Sequence, residues 1–285
     1  MRYAQLGSTG ISLPRIVFGA GVISGWGDID DDTAIRTIHA SIDAGANAID
    51  TAPVYGFGRC ERVVGQAIRD RRTDAIVLAK CGLRWDGEFG VVSFEATLED
   101  GRSIVIRRDL RPESIRQEVD GVLARLGVDF LDLIQLHWPD PLTPLAETMG
   151  ALIELRKAGN IGAIGVSNFD MAALVSARAA LGREPCVSVQ PKYNLVDRSI
   201  ECDLLPYCER EGIAVLAYSP LERSLLTGRV TEEREFGRAD SRSRRPDFQL
   251  ERRAAINAIL ATSVAPIARR HGVTVGQIAI AWVLA

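Results

Sequence analysis

The chain has 285 residues, with 34 lysines and arginines against 37 acids and a formal charge of -3. At 47% hydrophobic residues it suits one large α/β domain or two smaller ones, and its near-neutral balance gives no basic stripe for nucleic acid. No apolar run approaches the roughly 18 residues of a membrane span, and "MRYAQLGSTGISLP" lacks the apolar core of a secretory leader, so a cytoplasmic protein is expected.

From the N-terminus, "RYAQLGSTGISLP" alternates around a Gly-rich turn and reads as a β-hairpin. Short apolar runs follow at 16–21, 47–52, 75–82, 130–137, 163–168, 187–194 and 214–220, each reading as a buried strand. Helical patterns lie between them. Residues 33–44 carry Ile35, Ile38 and Ile42 on one face. Residues 112–126 carry Ile115, Val119, Val122, Leu123 and Leu126, with Pro112 at the start and Gly127 past the end. Thr143 and Pro144 open the next helix and Gly159 closes it. Buried strands alternating with helices predict parallel βαβ units, and seven of them fit a (β/α)8 TIM barrel better than an open doubly wound sheet. A Rossmann domain would need GxGxxG after its first strand. Here Gly19 and Gly21 are followed by Gly25, one position late. Segments 83–110 and 221–250 read as long loops after strands, at the end of a barrel where active sites lie. No internal repeat or low-complexity tract is evident.

The five cysteines are odd in number and form no CxxC, which supports neither a disulfide framework nor a zinc site. Buried, reduced thiols are expected, Cys60 and Cys81 included. Of the 34 basic residues only Lys80, Lys157 and Lys192 are lysines. A lysine is a compact charge with a tunable pKa, so each one is informative where arginine is the rule. Lys157 reads as a surface charge. Lys192 stands between a cofactor contact and a rim charge.

Asp50 ends the second strand and Tyr55 lies in the loop beyond it. Lys80 is near the end of the third strand, on the face of Ile76 and Leu78. His137 ends the fourth, on the face of Leu131, Leu133 and Gln135. The four converge on one rim. A buried lysine needs a counter-ion, which Asp50 supplies. A phenol beside that ammonium is expected to have a lowered pKa and to give a proton to a developing alkoxide. His137 can orient the carbonyl by a hydrogen bond. Any one of these residues alone has a bland explanation as a cap, a rim charge or a core histidine. Four at consecutive strand ends do not.

"DTAPVYGFG", "AKCG", "LDLIQLHWPDP", "IGAIGVSNF", "VQPKYNL" and "AYSPL" resemble the aldo-keto reductase superfamily, in family order over nearly the whole chain. The wording "HWPDPLTP" and "LERSLLTGR" is similar to the bacterial branch that includes general-stress and inositol-operon reductases. The resemblance implies one barrel domain over 1–285 that reduces an aldehyde or ketone, or runs in reverse, by direct hydride transfer from NADPH, with NADH as the alternative. It implies Tyr55 as general acid, Lys80 and Asp50 as its tuning pair, and His137 on the carbonyl. It also implies Ser167, Asn168 and Gln190 on the nicotinamide carboxamide, Tyr218 stacked on the ring, and Ser219, Leu221 and Arg229 around the phosphates. Trp138 stands either in the substrate pocket or in the core.

Two departures stand out. Relatives in this branch often have Gly-Thr-Trp where this chain has Gly19, Ala20 and Gly21, which predicts a missing pocket wall that Trp26 could replace. The chain ends in "VTVGQIAIAWVLA", before the family's eighth strand and last helix, so a barrel lacking its eighth strand is expected. The family's 2′-phosphate contacts lie beyond that point. A rival reading is a catalytically silent cofactor-binding or regulatory protein of the same fold. A metal-dependent barrel hydrolase fails on ligands, since only His39, His137 and His271 occur and no HxH is present. The natural substrate and the oligomeric state are not legible.

Overall fold

The computed structural model describes residues 1–24, 29–98, 101–237 and 240–285. Its contacts group into two compact units, residues 1–190 with 206–215, and residues 191–205 with 216–285.

In the first unit, β1 (Tyr3–Gln5) and β2 (Ser12–Pro14) form the antiparallel hairpin the sequence predicts. Leu6 and Leu13 are buried beneath it, and its left-handed Gly7 lies so close to Val187 that a Cβ would meet the backbone oxygen at 2.8 Å. Seven parallel strands follow: β3 (Phe18–Gly19), β4 (Ala48–Asp50), β5 (Ile76–Cys81), then β9 (Leu131–Leu136), β10 (Ile161–Ser167), β11 (Cys186–Gln190) and β12 (Ala214–Val215). The sheet runs β12-β11-β10-β9-β5-β4-β3, so each strand lies beside its chain neighbour in the sheet. This is the (β/α)8 barrel pattern with seven strands present.

The ladders are shorter than the apolar runs. β3 stops at Gly19 because the chain turns into a 3-10 helix at Ala20–Ser24. β11 stops before Pro191, which has no N–H to donate. Beyond β12, Tyr218 forms an isolated bridge to Lys192.

Five helices alternate with these strands: α1 (Asp31–Asp43), α2 (Arg59–Ile68), α3 (Pro112–Leu126), α4 (Leu145–Lys157) and α5 (Met171–Leu181). α3 has the bounds its punctuation predicts, with Pro112 in the first turn and Gly127 left-handed at the end. α6 (Leu204–Glu211) precedes β12.

The expected loop at 83–110 is instead a small antiparallel sheet of β6 (Leu83–Arg84), β7 (Val91–Thr97) and β8 (Ser103–Arg108), in the order β6-β8-β7. Val92 and Phe94 are exposed on β7, and a register shift falls between them. The clean alternation that would have announced a strand is therefore absent.

The second unit packs Leu225, Leu226, Val230, Phe248, Ile256 and Leu260 into its own core. Its helices are α7 (Leu250–Ile259), α8 (Ala265–His271) and α9 (Val275–Val283). Between α7 and α8 the coil widens to a π-turn at Leu260–Val264, where Pro266 has no N–H for the preceding turn. α9 opens on a capping box of Thr274 and Gln277. Segment 221–250 remains mostly irregular, with 3-10 turns at Leu225–Thr227, Ser241–Arg244 and Pro246–Phe248. No helix of the described residues is long and apolar enough to cross a membrane.

α2 approaches α3 at Gly65, where a Cβ would fall 2.3 Å from the Leu126 carbonyl oxygen. Gly65→Ala is expected to lower the unfolding free energy by about 1–3 kcal/mol through this overpacking. Gly150 in α4 has open space around it, so Gly150→Ala should raise the free energy by about 0.5–1 kcal/mol. Urea unfolding followed by circular dichroism reads both. Shifts of the same sign would contradict the close helix contact.

Candidate active site

Strand register places the predicted acid, base and lysine at one end of the sheet. Gly19 pairs with Asp50, Asp50 with Leu78, Lys80 with Gln135, and Ser167 with Gln190. All the strands are parallel, so their last residues share one rim.

Lys80 is fully buried and ion-paired to Asp50 Oδ1. Its Nζ also lies 3.4 Å from the Thr51 carbonyl oxygen. The other carboxylate oxygen of Asp50 accepts from Gln190 Nε2 at 2.9 Å and Gln135 Nε2 at 3.4 Å. Burial pushes the ammonium down, but Asp50 and Tyr55 outweigh it and hold Lys80 above its ordinary value.

Tyr55 sits in the turn after β4, with Lys80 Nζ 5.3 Å from its ring centre. The His137 ring meets it edge-on at 5.8 Å. Burial raises the Tyr55 phenol above its ordinary value, and the Lys80 charge only partly opposes this. The expected lowering is thus corrected: desolvation outweighs the neighbouring ammonium, and the phenol stays protonated. Burial, and then the Lys80 charge, pushes His137 well below the usual imidazole value. The ring is neutral and can donate through one nitrogen only.

The backbone around His137 is fixed on both sides. Its N–H donates to the Cys81 carbonyl at 2.8 Å, and its carbonyl accepts from Asn168 Nδ2 at 2.9 Å. Asn168 is left-handed, at φ 59°, and its side chain also reaches Ser167 Oγ at 3.2 Å. Ser167 Oγ donates to the Gln190 carbonyl at 2.8 Å. The three predicted carboxamide contacts are therefore one network beside the tetrad.

The first-strand departure has a tighter consequence than a missing wall. A Cβ on Gly21 would lie 3.3 Å from Tyr55 Cε2, so Gly21 is packed against the Tyr55 ring. Ala20 is buried, and only Gly19 faces open space. Trp26 lies outside the described residues. Trp138 is half-buried, with the Arg108 guanidinium 5.0 Å from its ring centre.

Several buried acids escaped sequence reading, Glu118 and Glu61 among them. Glu118 of α3 accepts the Gly82 N–H at 2.5 Å, just where β5 ends. Burial raises its pKa to about 8. Glu61 of α2 is fully buried against Arg125, and burial raises it to about 7. Cys60 and Cys81 are buried with their thiols pushed up by burial, Cys81 well above its ordinary value. Cys202 is exposed, unlike the other four.

In the second unit, Ser219, Glu222, Arg223 and Ser224 all have left-handed backbones, at φ 52°, 41°, 51° and 77°. Such strain, about 1–3 kcal/mol per residue, persists only where surroundings enforce it. Here the buried Glu222 carboxylate is held by Lys192 Nζ and Asn194 Nδ2, each at 2.8 Å. Lys192 is therefore an anchor of this loop. Tyr218 starts the segment, with its N–H donating to the Pro191 carbonyl, and Arg229 is exposed beyond it. Leu221 is half-buried against this unit's core.

Residues 15–285 match the Aldo/keto reductase family. The chain belongs to that family. It is 38% identical to the aldo-keto reductase YhdN of Bacillus subtilis (strain 168), over 100% of this chain and 81% of that protein. It is 37% identical to the NADH-specific methylglyoxal reductase of Escherichia coli (strain K12), over 100% of this chain and 86% of that one. The structure of the glycerol dehydrogenase AKR11B4 from Gluconobacter oxydans superposes with a TM-score of 0.87 at 39% identity, covering 99% of this chain and 82% of that one. This aldo-keto reductase is an oxidoreductase of carbonyls and alcohols, working with a nicotinamide cofactor.

The protonation states predict a flat pH profile for reduction. The phenol is raised above 10.0 and the imidazole is lowered from 6.5, so neither titrates in between. Reductive kcat/KM should be level from about pH 6 to 9. With Tyr55 as the proton carrier, alcohol oxidation would draw on the phenolate and should rise with pH throughout. A reductive limb falling near neutrality would contradict a raised phenol.

Proposed function

We propose that residues 1–285 act as one cytoplasmic carbonyl reductase domain in which Tyr55 is the general acid and Asp50, Lys80 and His137 serve it. The single observation that carries this is the buried Lys80–Asp50 pair beneath a protonated Tyr55. A packing role does not explain an ammonium at full burial. A role in holding negative charge on a neighbouring phenol does.

When bound, the nicotinamide dinucleotide supplies the hydride that reaches the carbonyl carbon. Tyr55 Oη gives its proton to the carbonyl oxygen as negative charge grows there. Lys80 stabilises the phenolate left behind, and Asp50 keeps Lys80 charged and aimed. His137, neutral, donates a hydrogen bond that holds the carbonyl oxygen near the phenol. Solvent then restores the phenolic proton. The reverse sequence removes a proton from an alcohol.

The residues present fit such a cofactor. Gln190 donates through Nε2 to Asp50, which turns Oε1 away to accept from an amide. Ser167 and Asn168 add a hydroxyl and a second amide beside it, matching the donors and acceptors of a carboxamide. In the second unit, Ser219 and the run Glu222 to Ser224 hold a strained left-handed turn around Leu221. We assign Ser219, Leu221 and Arg229 to the phosphates and Tyr218 to the ring. NADPH is the cofactor of first choice, with NADH the alternative.

The test is reduction of a panel of small aldehydes and ketones with each cofactor. Tyr55→Phe should lower kcat by about 10²–10⁴-fold. Its cofactor affinity, read by tryptophan fluorescence, should be unchanged. A fully active Tyr55→Phe protein would remove Tyr55 from the chemistry. Cofactor binding by a wild type that turns over no carbonyl would favour the silent, regulatory reading.

A further inference from the structure

Arg108 ends β8, whose partner β6 begins just after β5. Leu83 pairs with Arg108, two residues beyond Cys81, whose carbonyl holds the His137 N–H. Even at the full strand rise of about 3.3 Å per residue, Leu83 lies no more than roughly 10 Å along the chain from Lys80, because the chain turns at the left-handed Gly82. The guanidinium stacks on Trp138, the residue after His137. It thus lies over the ring of the residue that follows His137.

The hydrogen bonding of this arginine is incomplete. Nη1 reaches the Pro139 carbonyl oxygen at 3.4 Å, and the buried Nε has no partner among the described residues. No carboxylate of the described residues pairs with it, whereas its neighbours are engaged: Arg84 with Asp86, and Arg111 with Asp109. An arginine has five donors in a rigid fork, and leaving them half-used beside an aromatic ring is costly. The fork matches the two oxygens of a carboxylate, and stacking pre-organises it for that contact.

We propose that Arg108, stacked on Trp138, binds the carboxylate of the substrate, so that the preferred substrates are short oxo acids carrying an aldehyde at one end and a carboxylate at the other. This rests on the reductase reading and adds a substrate class to it. The aldehyde oxygen meets Tyr55 and His137, and the carboxylate closes on the guanidinium. Arg108 is a specificity residue: it holds the far end of the substrate and takes no part in proton transfer.

The test compares 4-oxobutanoate and 6-oxohexanoate with butanal and hexanal, in wild type and Arg108→Leu. In the wild type, kcat/KM for at least one oxo acid should exceed that of its neutral partner by about 10-fold or more, the range of a charge-assisted contact. Arg108→Leu should lower the oxo-acid value by about 10- to 100-fold, mainly through KM, and leave the neutral aldehydes within about twofold. Arg108→Lys should recover part of the loss. Equal rates for acid and neutral aldehyde in the wild type, or equal losses in the variant, would overturn the proposal. A separate readout needs no turnover. Hexanedioate should change Trp138 fluorescence saturably in wild type but not in Arg108→Leu, with Trp138→Phe identifying the signal. Saturable binding without turnover of any aldehyde would sink the reductase reading and leave the anion site standing. Turnover without such binding would sink the anion site alone.

Discussion

One buried ion pair organises this molecule. Lys80 has no exposed surface, so its charge survives chiefly because Asp50 lies against it. Removing a carboxylate and an ammonium from water costs several kcal/mol for each ion, and their attraction roughly offsets that cost at best. Similar apolar side chains would hold the strands together equally well. The pair therefore makes sense through what it does to Tyr55. The phenol is raised by burial and restrained by Lys80, so it stays protonated, as the proposed proton donor must. His137 is kept neutral by the same burial and the same ammonium.

The surroundings of the pair are arranged for its benefit. Gln190 and Gln135 satisfy the second oxygen of Asp50, and the Gln190 carbonyl ties in Ser167 and Asn168. Glu118 clamps the Gly82 N–H where β5 ends, two residues after Lys80. Gly21 lets the chain pass against the Tyr55 ring. In the second unit, the Lys192–Glu222 contact does similar work for a strained loop, holding side chains and backbone N–H groups in a set geometry.

Much of this was legible in the sequence, for physical reasons. A lysine in an apolar strand of an arginine-rich chain is conspicuous, and period-two alternation aligns it with the neighbouring strand ends. Helix α3 announced itself through Pro112 and Gly127. What could not be read depends on tertiary burial. Glu61 and Glu118 lie on helices whose patterns look ordinary, and only packing reveals that both are inside. The sign of the Tyr55 shift needs the size of the desolvation, which sequence does not carry. The sheet at 83–108 was hidden because β7 exposes Val92 and Phe94 and breaks register between them. Nothing in the sequence marks Arg108 among 31 arginines; only the ladder sets it over Trp138.

If Tyr55 is the proton donor, the Lys80–Asp50 pair is kept for chemistry and not for stability. Urea unfolding of Asp50→Leu, Lys80→Met and the double variant separates the two. Each single variant strands a buried charge or its partner and should lose about 3–5 kcal/mol. The double variant should recover most of that loss, because two apolar side chains leave nothing unpaired, and it should still reduce no carbonyl. A double variant as unstable as the sum of the single ones would mean that the pair holds the fold together, and would contradict the account.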